Sequence, residues 1–473
     1  MAIRAHYEGA NGNRMRSMLP GVIQNAKKDL SRATRRELLR NSRALWKNSP
    51  MVKAVVERLV TYTIGTGVRI EADSSDVAWN AKADAVFSQW AKYADLSSRQ
   101  HAWKLQEIIF RGQLIDGDQL VIKTFGDSGR PRIQLIEGDQ VGDQFALYSN
   151  NKNDDGVVCD KNGRPIEFLV QEDIGSGIKR ERRIPADSAV LFANIERAGQ
   201  QRGAPLAAAA LTTAIDLHDI LGLEKAAVKD GATKTDIIKT ASGEVEGEGL
   251  VGEEKSSETS AEEVTKFYKE VFGPEAVVLR HGDEHTPYIP SRPSAAWAGF
   301  VDFLAELVCL SFNLPPSLVR QLKVGGADTR RDLAIMQRVV EMHQWAFAQN
   351  WQQIWEYVIE SEINDGSLAD APPDWRKTDC QFPRAATVDA GRQASADRED
   401  VRTGNMTLRE MCGQYGTSWR THIRQLATEL RAVQDMEKEF GLPPGSLALR
   451  LYASQNAPSP LAPAAPVQNR SAA

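Results

Sequence analysis

The sequence predicts an α+β fold, and three observations carry that reading. Short β-type patterns between residues 66 and 193 are separated by turn residues such as Lys161-Asn162-Gly163. Between Pro293 and Glu360, apolar residues recur at steps of three and four, the spacing of one helix face. Past Asp389 the helical patterns resume. A chain of 473 residues has room for about three domains with substantial cores.

The first thirty or so residues are rich in Gly, Asn, Arg and Met without periodicity, which predicts a flexible arm. Helical order is expected from Ser31 or Thr34. Leu38, Leu39, Ser42, Leu45 and Trp46 form one amphipathic set, Pro50 punctuates, and Val52, Val55, Val56, Leu59 and Val60 form another. The pattern then predicts a strand near 66–72 and helices near 77–94 and 103–114. Strands are expected over 119–125, 132–136, 156–159, 166–170 and 189–193.

An Ala- and Leu-rich helix is predicted from Pro205 to about Asp230. Glu244, Glu246, Glu248, Glu253, Glu254 and Glu258, interleaved with Gly and Ser, then predict a mobile acidic loop. A short helix near 261–271 and a strand near 276–279 close this insertion. Trp297, Phe300, Phe303, Leu304, Leu307 and Val308 line a helix that Leu314-Pro315-Pro316 stops, because proline lacks an amide donor and restricts the residue before it. A loop follows. After Gly325-Gly326, Leu333, Met336, Val340, His343, Phe347, Trp351, Ile354 and Val358 share one stripe. Some thirty residues of helix would span roughly 45 to 50 Å. Residues 370–383 read as irregular, helices are expected near 389–403, 407–415 and 418–440, and the Pro- and Ala-rich tail from Ala457 reads as disordered.

Net charge is −5, from 58 cations against 63 anions, which argues against a protein that grips nucleic acid over its whole surface. The region from Arg14 to Arg43 is basic, with Lys27, Lys28, Arg32, Arg35, Arg36 and Arg40; a solvated helix face and an interaction surface are both open readings. Cys159, Cys309, Cys380 and Cys412 form no CxxC motif and read as reduced thiols. The first residues carry no signal-peptide pattern, and no apolar run reaches membrane-spanning length, so a soluble intracellular protein without membrane partners is expected.

His281-Gly282-Asp283-Glu284-His285 is the one local cluster of metal-type ligands, and as a rival reading it supports a metal-dependent hydrolase. Its spacing fits no usual zinc pattern, and a turn between strands accounts for it equally well. Gly247, Gly249 and Gly252 have dinucleotide-fingerprint spacing but no preceding apolar strand. No phosphate loop, nucleophile elbow or supported Cys/His pair occurs, so neither an enzyme nor a cofactor is expected. The ten tryptophans fall mostly on apolar helical stripes, which favours core packing over base stacking.

Six ordered segments resemble the bacteriophage portal proteins of the lambda type, from about Arg35 to Pro443. They are Arg43-Ala44-Leu45 with Asn48-Ser49-Pro50; Gly65-Thr66-Gly67; Ile133 to Asp139; Gly156 to Asp160 with Gly163-Arg164-Pro165; Arg197 to Pro205; and Val388-Asp389 to Ala396 with Gly404-Asn405-Met406-Thr407. Arg197 to Pro205 is the most distinctive. Two features depart from the family pattern: Val190-Leu191-Phe192 lacks a histidine, and Gly326 to Arg330 replaces a serine-rich turn.

The resemblance implies a portal-type fold, with an α/β wing, a helical stem, a small α/β clip and a helical C-terminal crown. By that analogy, 1–33 is a flexible basic arm, 34–204 the first part of the wing, 205–230 a stem helix, 231–292 the clip, and 293–313 the second stem helix. The tunnel loop is then 314–329, the second part of the wing 330–388, the crown 389–456 and the disordered tail 457–473. It also implies a homo-oligomeric ring, usually of twelve copies, at one capsid vertex of the virion, assembled in the host cytoplasm. Double-stranded DNA would pass through it without sequence reading, and Arg320, Gln321 and Lys323 would face that channel. Implied partners are the terminase large subunit, a head-tail adaptor, and the major capsid and scaffold proteins. A monomeric DNA-binding scaffold is the second rival; it would bind duplex with a steep salt dependence.

Overall fold

The computed structural model describes residues 25–142, 153–173, 175, 179–233, 297–320 and 325–447. The chain opens with α1 (Ala26–Asp29) and α2 (Arg32–Asn48), whose start is fixed by Ser31 accepting the Thr34 amide at 3.3 Å. Pro50 occupies the first position of α3 (Pro50–Thr63), where its missing N–H costs nothing. Next come β1 (Arg69–Ala72), α4 (Val77–Ala91), α5 (Ala102–Asp116), β2 (Asp118–Phe125) and β3 (Pro131–Glu137). The strands β4 (Asn153–Asp154), β5 (Val157–Cys159), β6 (Pro165–Asp173), β7 (Lys179–Pro185) and β8 (Ala189–Ala193) follow. Then come α6 (Leu211–Thr233), α7 (Trp297–Ser311), the short α8 (Pro316–Arg320) and the 39-residue α9 (Gly326–Asn364). The described chain ends with β9 (Thr378–Gln381), α10 (Ala390–Thr403), α11 (Leu408–Gln414) and α12 (Trp419–Glu439). The mixture of helix and strand is the α+β content that the periodicities predict.

Two compact units divide the chain: Met1–Val60 with Ile108–Ile122 and Leu135–Val339, and Thr61–Glu107 with Lys123–Gln134 and Val340–Ala473. In the first, β4 to β7 form an antiparallel meander in chain order, and β2 pairs β8 antiparallel with Leu120 opposite Leu191. Leu120, Ile122, Ile136, Val157, Phe168, Val170 and Ile184 are buried together, the inward halves of alternating strands. A smaller core joins Leu217 of α6 to Leu304 and Ala305 of α7, flanked by Met51, Ile220, Leu221 and Val301.

In the second unit β1 pairs β9 antiparallel, Ile70 opposite Cys380. Phe347, Trp351, Ile354, Trp355, Val358 and Ile359 of α9 are buried there. Removing either tryptophan side chain would cost about 3 to 5 kcal/mol. Arg409 of α11 reaches Glu71 at 3.1 Å, Asp73 at 2.9 Å and Asp379 at 2.9 Å, tying that helix to both strands of the pair. A capping box between Thr407 and Glu410 starts α11.

Four features differ from the sequence expectation. β7 is a strand despite its run Lys-Arg-Glu-Arg-Arg, because Arg182 pairs across to Glu172 at 2.8 Å and the charges stay at the surface. β9 lies in a stretch read as irregular and exists through its pairing with β1. The loop read over 314–329 contains α8, since Pro316 both ends one helix and suits the first position of the next. Phe300 and Phe303, placed on the buried stripe of α7, are 49% and 54% exposed; the buried face is Leu304, Ala305, Val308 and Cys309.

The acidic stretch Glu244 to Glu258, the cluster His281 to His285, Gln321, Lys323 and the tail from Ala457 lie outside the described residues, as do the first 24 residues of the arm. Among the described residues no helix is long and apolar enough to cross a membrane.

Candidate functional site

The candidate channel segment is the turn between α7 and α9. Asn313 adopts a left-handed conformation, φ 54°, past the end of α7, a position Asn tolerates better than most residues. Phe312, Leu314 and Val319 are buried and anchor the turn from inside. Two polar contacts fix α8 between its neighbours. Ser317 Oγ lies 2.5 Å from Asp332 Oδ2 of α9, and Arg320 Nη2 donates to Asp302 Oδ1 of α7 at 2.5 Å.

Arg320, one of the three expected channel residues, is therefore paired within its own chain. Its side chain keeps about a quarter of its exposure and Asp302 about half. The pair presents a neutralised cation, which binds phosphate weakly compared with a free arginine. Gln321 and Lys323 lie outside the described residues, so Arg320 alone of the three is placed. Among the described residues, no group of His, Cys, Asp and Glu could hold a metal ion.

A second polar centre lies in the same unit and was not foreseen from sequence. Arg202, inside the distinctive segment Arg197 to Pro205, donates from Nε to Asp118 Oδ2 at 2.7 Å and from Nη2 to Oδ1 at 2.9 Å, a two-pronged contact. Arg35 Nη2 donates to the same Oδ1 at 2.8 Å, and the Gly203 amide donates to Oδ2 at 2.9 Å. Both guanidinium groups also donate to the Gly138 carbonyl, at 3.0 and 2.8 Å. Arg202 adds the Val141 carbonyl at 3.0 Å, and Arg35 reaches Asp155 at 3.3 Å.

All three side chains are buried, at 0 to 2% exposure, so the balance of charge decides their ionisation. Burial alone would raise the Asp118 carboxyl, but Arg202 and Arg35 outweigh it and hold it below the usual carboxylate range. Burial pulls Arg35 down from the usual arginine value, while the carboxylates around Arg202 overcome the same penalty and raise it. The cluster joins α2, the start of β2, the turn after β3 and the segment before α6. Close backbone approach supports it: a Cβ on Gly203 would sit 1.8 Å from the Gly117 carbonyl oxygen. Chemically the cluster is a joint rather than a reaction site, since both carboxylate oxygens of Asp118 accept hydrogen bonds and solvent is excluded from it.

Residues 11–321 match the phage portal protein family of the lambda type. No curated protein matches the sequence. Among solved structures, the neck of an empty gene transfer agent particle, computed with C6 symmetry, is 12% identical at a TM-score of 0.46, over 85% of this chain and 94% of that one. The neck of the native particle, computed with C12 symmetry, is 13% identical at 0.47, over 86% and 94%. The virion of the native gene transfer agent is 14% identical at 0.40, over 87% and 94%. The family match runs through the arginine cluster, α6, α7 and Arg320, and it spans more than half of the sequence: the chain belongs to the lambda family of phage portal proteins.

Proposed function

We propose that copies of this chain close into a dodecameric ring at one capsid vertex, through which double-stranded DNA is packaged and later ejected. The observation that carries the reading, beside the family, is the apolar surface left on the helix pair α6 and α7. Leu223 is 70% exposed, Phe300 49%, Phe303 54% and Leu310 61% among the described residues. Several large apolar groups exposed on adjacent helices mark a surface that is covered in the working assembly. A closed ring of identical subunits covers such heterologous faces without leaving an open end.

The role is structural and not enzymatic. The stem helices would line the axial hole, with Arg320, Gln321 and Lys323 at its constriction. Terminase would dock on residues 231–292 during packaging and a head-tail adaptor afterwards, while the basic arm would meet capsid and scaffold proteins. A net acidic chain with its described constriction cation already paired suits a conduit, because each free cation on phosphate releases counterions and adds affinity that slows sliding. Negative-stain imaging and sedimentation of the purified protein test the reading. Rings with an axial opening are expected; single chains at every concentration and under crowded assembly conditions would overturn it.

A further inference from the structure

Arg36, Arg40, Arg43 and Lys47 recur along α2 at steps of four, three and four, so they share one helix face. They line an open groove of about 590 Å³ whose floor includes Leu39 and Ala44. Their charges are unequally compensated. Arg43 is held by Asp116 at 2.6 Å, Asp139 at 2.7 Å and Glu137 at 3.2 Å. Arg40 meets only Glu37, an exposed neighbour on its own helix. The side chains of Arg36 and Lys47 make no hydrogen bond or ion pair with any described residue. The groove therefore has cationic ends, Arg36 with Arg40 and Lys47, on either side of an apolar middle.

Residues 244–254 of this chain have the complementary order. Glu244, Glu246 and Glu248 precede Leu250-Val251, and Glu253-Glu254 follow. Chain length permits the contact. Met51, just past α2, packs against the same small core as Ile220 and Leu221, and from Leu221 α6 continues twelve residues to Thr233, about 18 Å. The eleven residues from there to Glu244 span up to about 37 Å when extended.

We propose that the α2 groove is the docking surface for the chain's own acidic segment, Glu244 to Glu254. Its two carboxylate groups pair with Arg36, Arg40 and Lys47, and Leu250-Val251 covers the floor. Duplex DNA fits the same groove less well, because a sugar-phosphate backbone gains nothing from the apolar Leu39 and Ala44, whereas Leu250-Val251 does.

Carbodiimide coupling of the purified full-length protein, read by mass spectrometry, tests this whether or not rings form. The reagent activates a glutamate carboxyl as an O-acylisourea, the Lys47 amine attacks it and displaces the reagent as its urea, and an amide remains where the two were paired. A link from Lys47 to one of Glu244, Glu246, Glu248, Glu253 or Glu254 is expected. In an equal mixture of isotopically light and heavy protein it joins peptides of one isotope only. The variant R36Q/R40Q, and separately E244Q/E246Q/E248Q, should each lower the yield by about fivefold, with unchanged far-UV circular dichroism. Links of mixed isotope, links from Lys47 only to other carboxylates, no link, or a yield unmoved by both variants would overturn the proposal. So would loss of the link on adding a short DNA duplex, which would make the groove a nucleic-acid surface.

Discussion

Arg202 carries two parallel hydrogen bonds to Asp118 and serves three backbone carbonyls as well, those of Gly138, Val141 and Asp155, so its side chain is hard to replace. Lysine keeps the charge but offers one ammonium, which cannot reproduce the fork. Arg202→Ala is expected to cost about 3 to 5 kcal/mol, because it leaves Asp118 buried beside Arg35 alone; Arg202→Lys should fall between the variant and wild type. Thermal melts check this, and an alanine variant that melts with wild type would refute it. The Asp118 contribution is present at neutral pH and is lost as pH falls below about 4, through its depressed folded value. Asp84 in the second unit has the opposite sign. Burial pushes its carboxyl up to about 6, although it accepts the Ala72 amide at 2.8 Å and pairs with Arg420 at 2.5 Å. The folded state therefore holds a proton that the unfolded state has released between about pH 4 and 6, and stability drops as pH rises through that window. Melting temperature should be a few degrees higher at pH 5 than at pH 7.5, and Asp84→Asn should flatten that difference. An unchanged slope in the variant would remove Asp84 as its source.

At the level of elements, what could be read from the sequence was what local chemistry decides. The Pro50 break between α2 and α3, the strands β2, β3 and β8, and the stripe of α9 all follow from periodicity and punctuation within a few residues. What could not be read depends on partners distant in the chain. β9 is ordinary polar sequence until β1 lies beside it, and β7 looks like a solvated charge run until Glu172 and Glu167 meet its arginines. α9 outruns its expected length because its stop comes at Gly366, φ 81°, beyond the last apolar residue of the stripe. The candidate channel segment shows the same division. Its prolines announce a turn, but nothing local says that Arg320 pairs with Asp302 one helix earlier. The arginine cluster did leave a trace: Arg35 precedes Leu39, Ser42 and Leu45 on the buried face of α2, a position where an isolated charge is costly unless paired.

If copies close into the proposed ring with Arg320 at its constriction, the decisive quantity is how strongly that channel holds DNA, and the Arg320–Asp302 pair gives it two opposite handles. Arg320→Ala with Lys323→Ala removes cations while leaving Asp302 unpaired, so the constriction becomes more acidic and repels the duplex. Rings should still assemble, since the exposed apolar residues of α6 and α7 are untouched, but yields of filled heads or retention of packaged DNA should fall. Asp302→Asn does the reverse. It frees the Arg320 guanidinium, and each copy of the ring gains one phosphate contact whose salt slope is close to one ion per cation. Translocation should then slow most at low salt and recover as salt is raised. Packaging assays across a salt series separate the two. If both variants package normally at every salt concentration, Arg320 is a strut between α7 and α8 and takes no part in passing DNA.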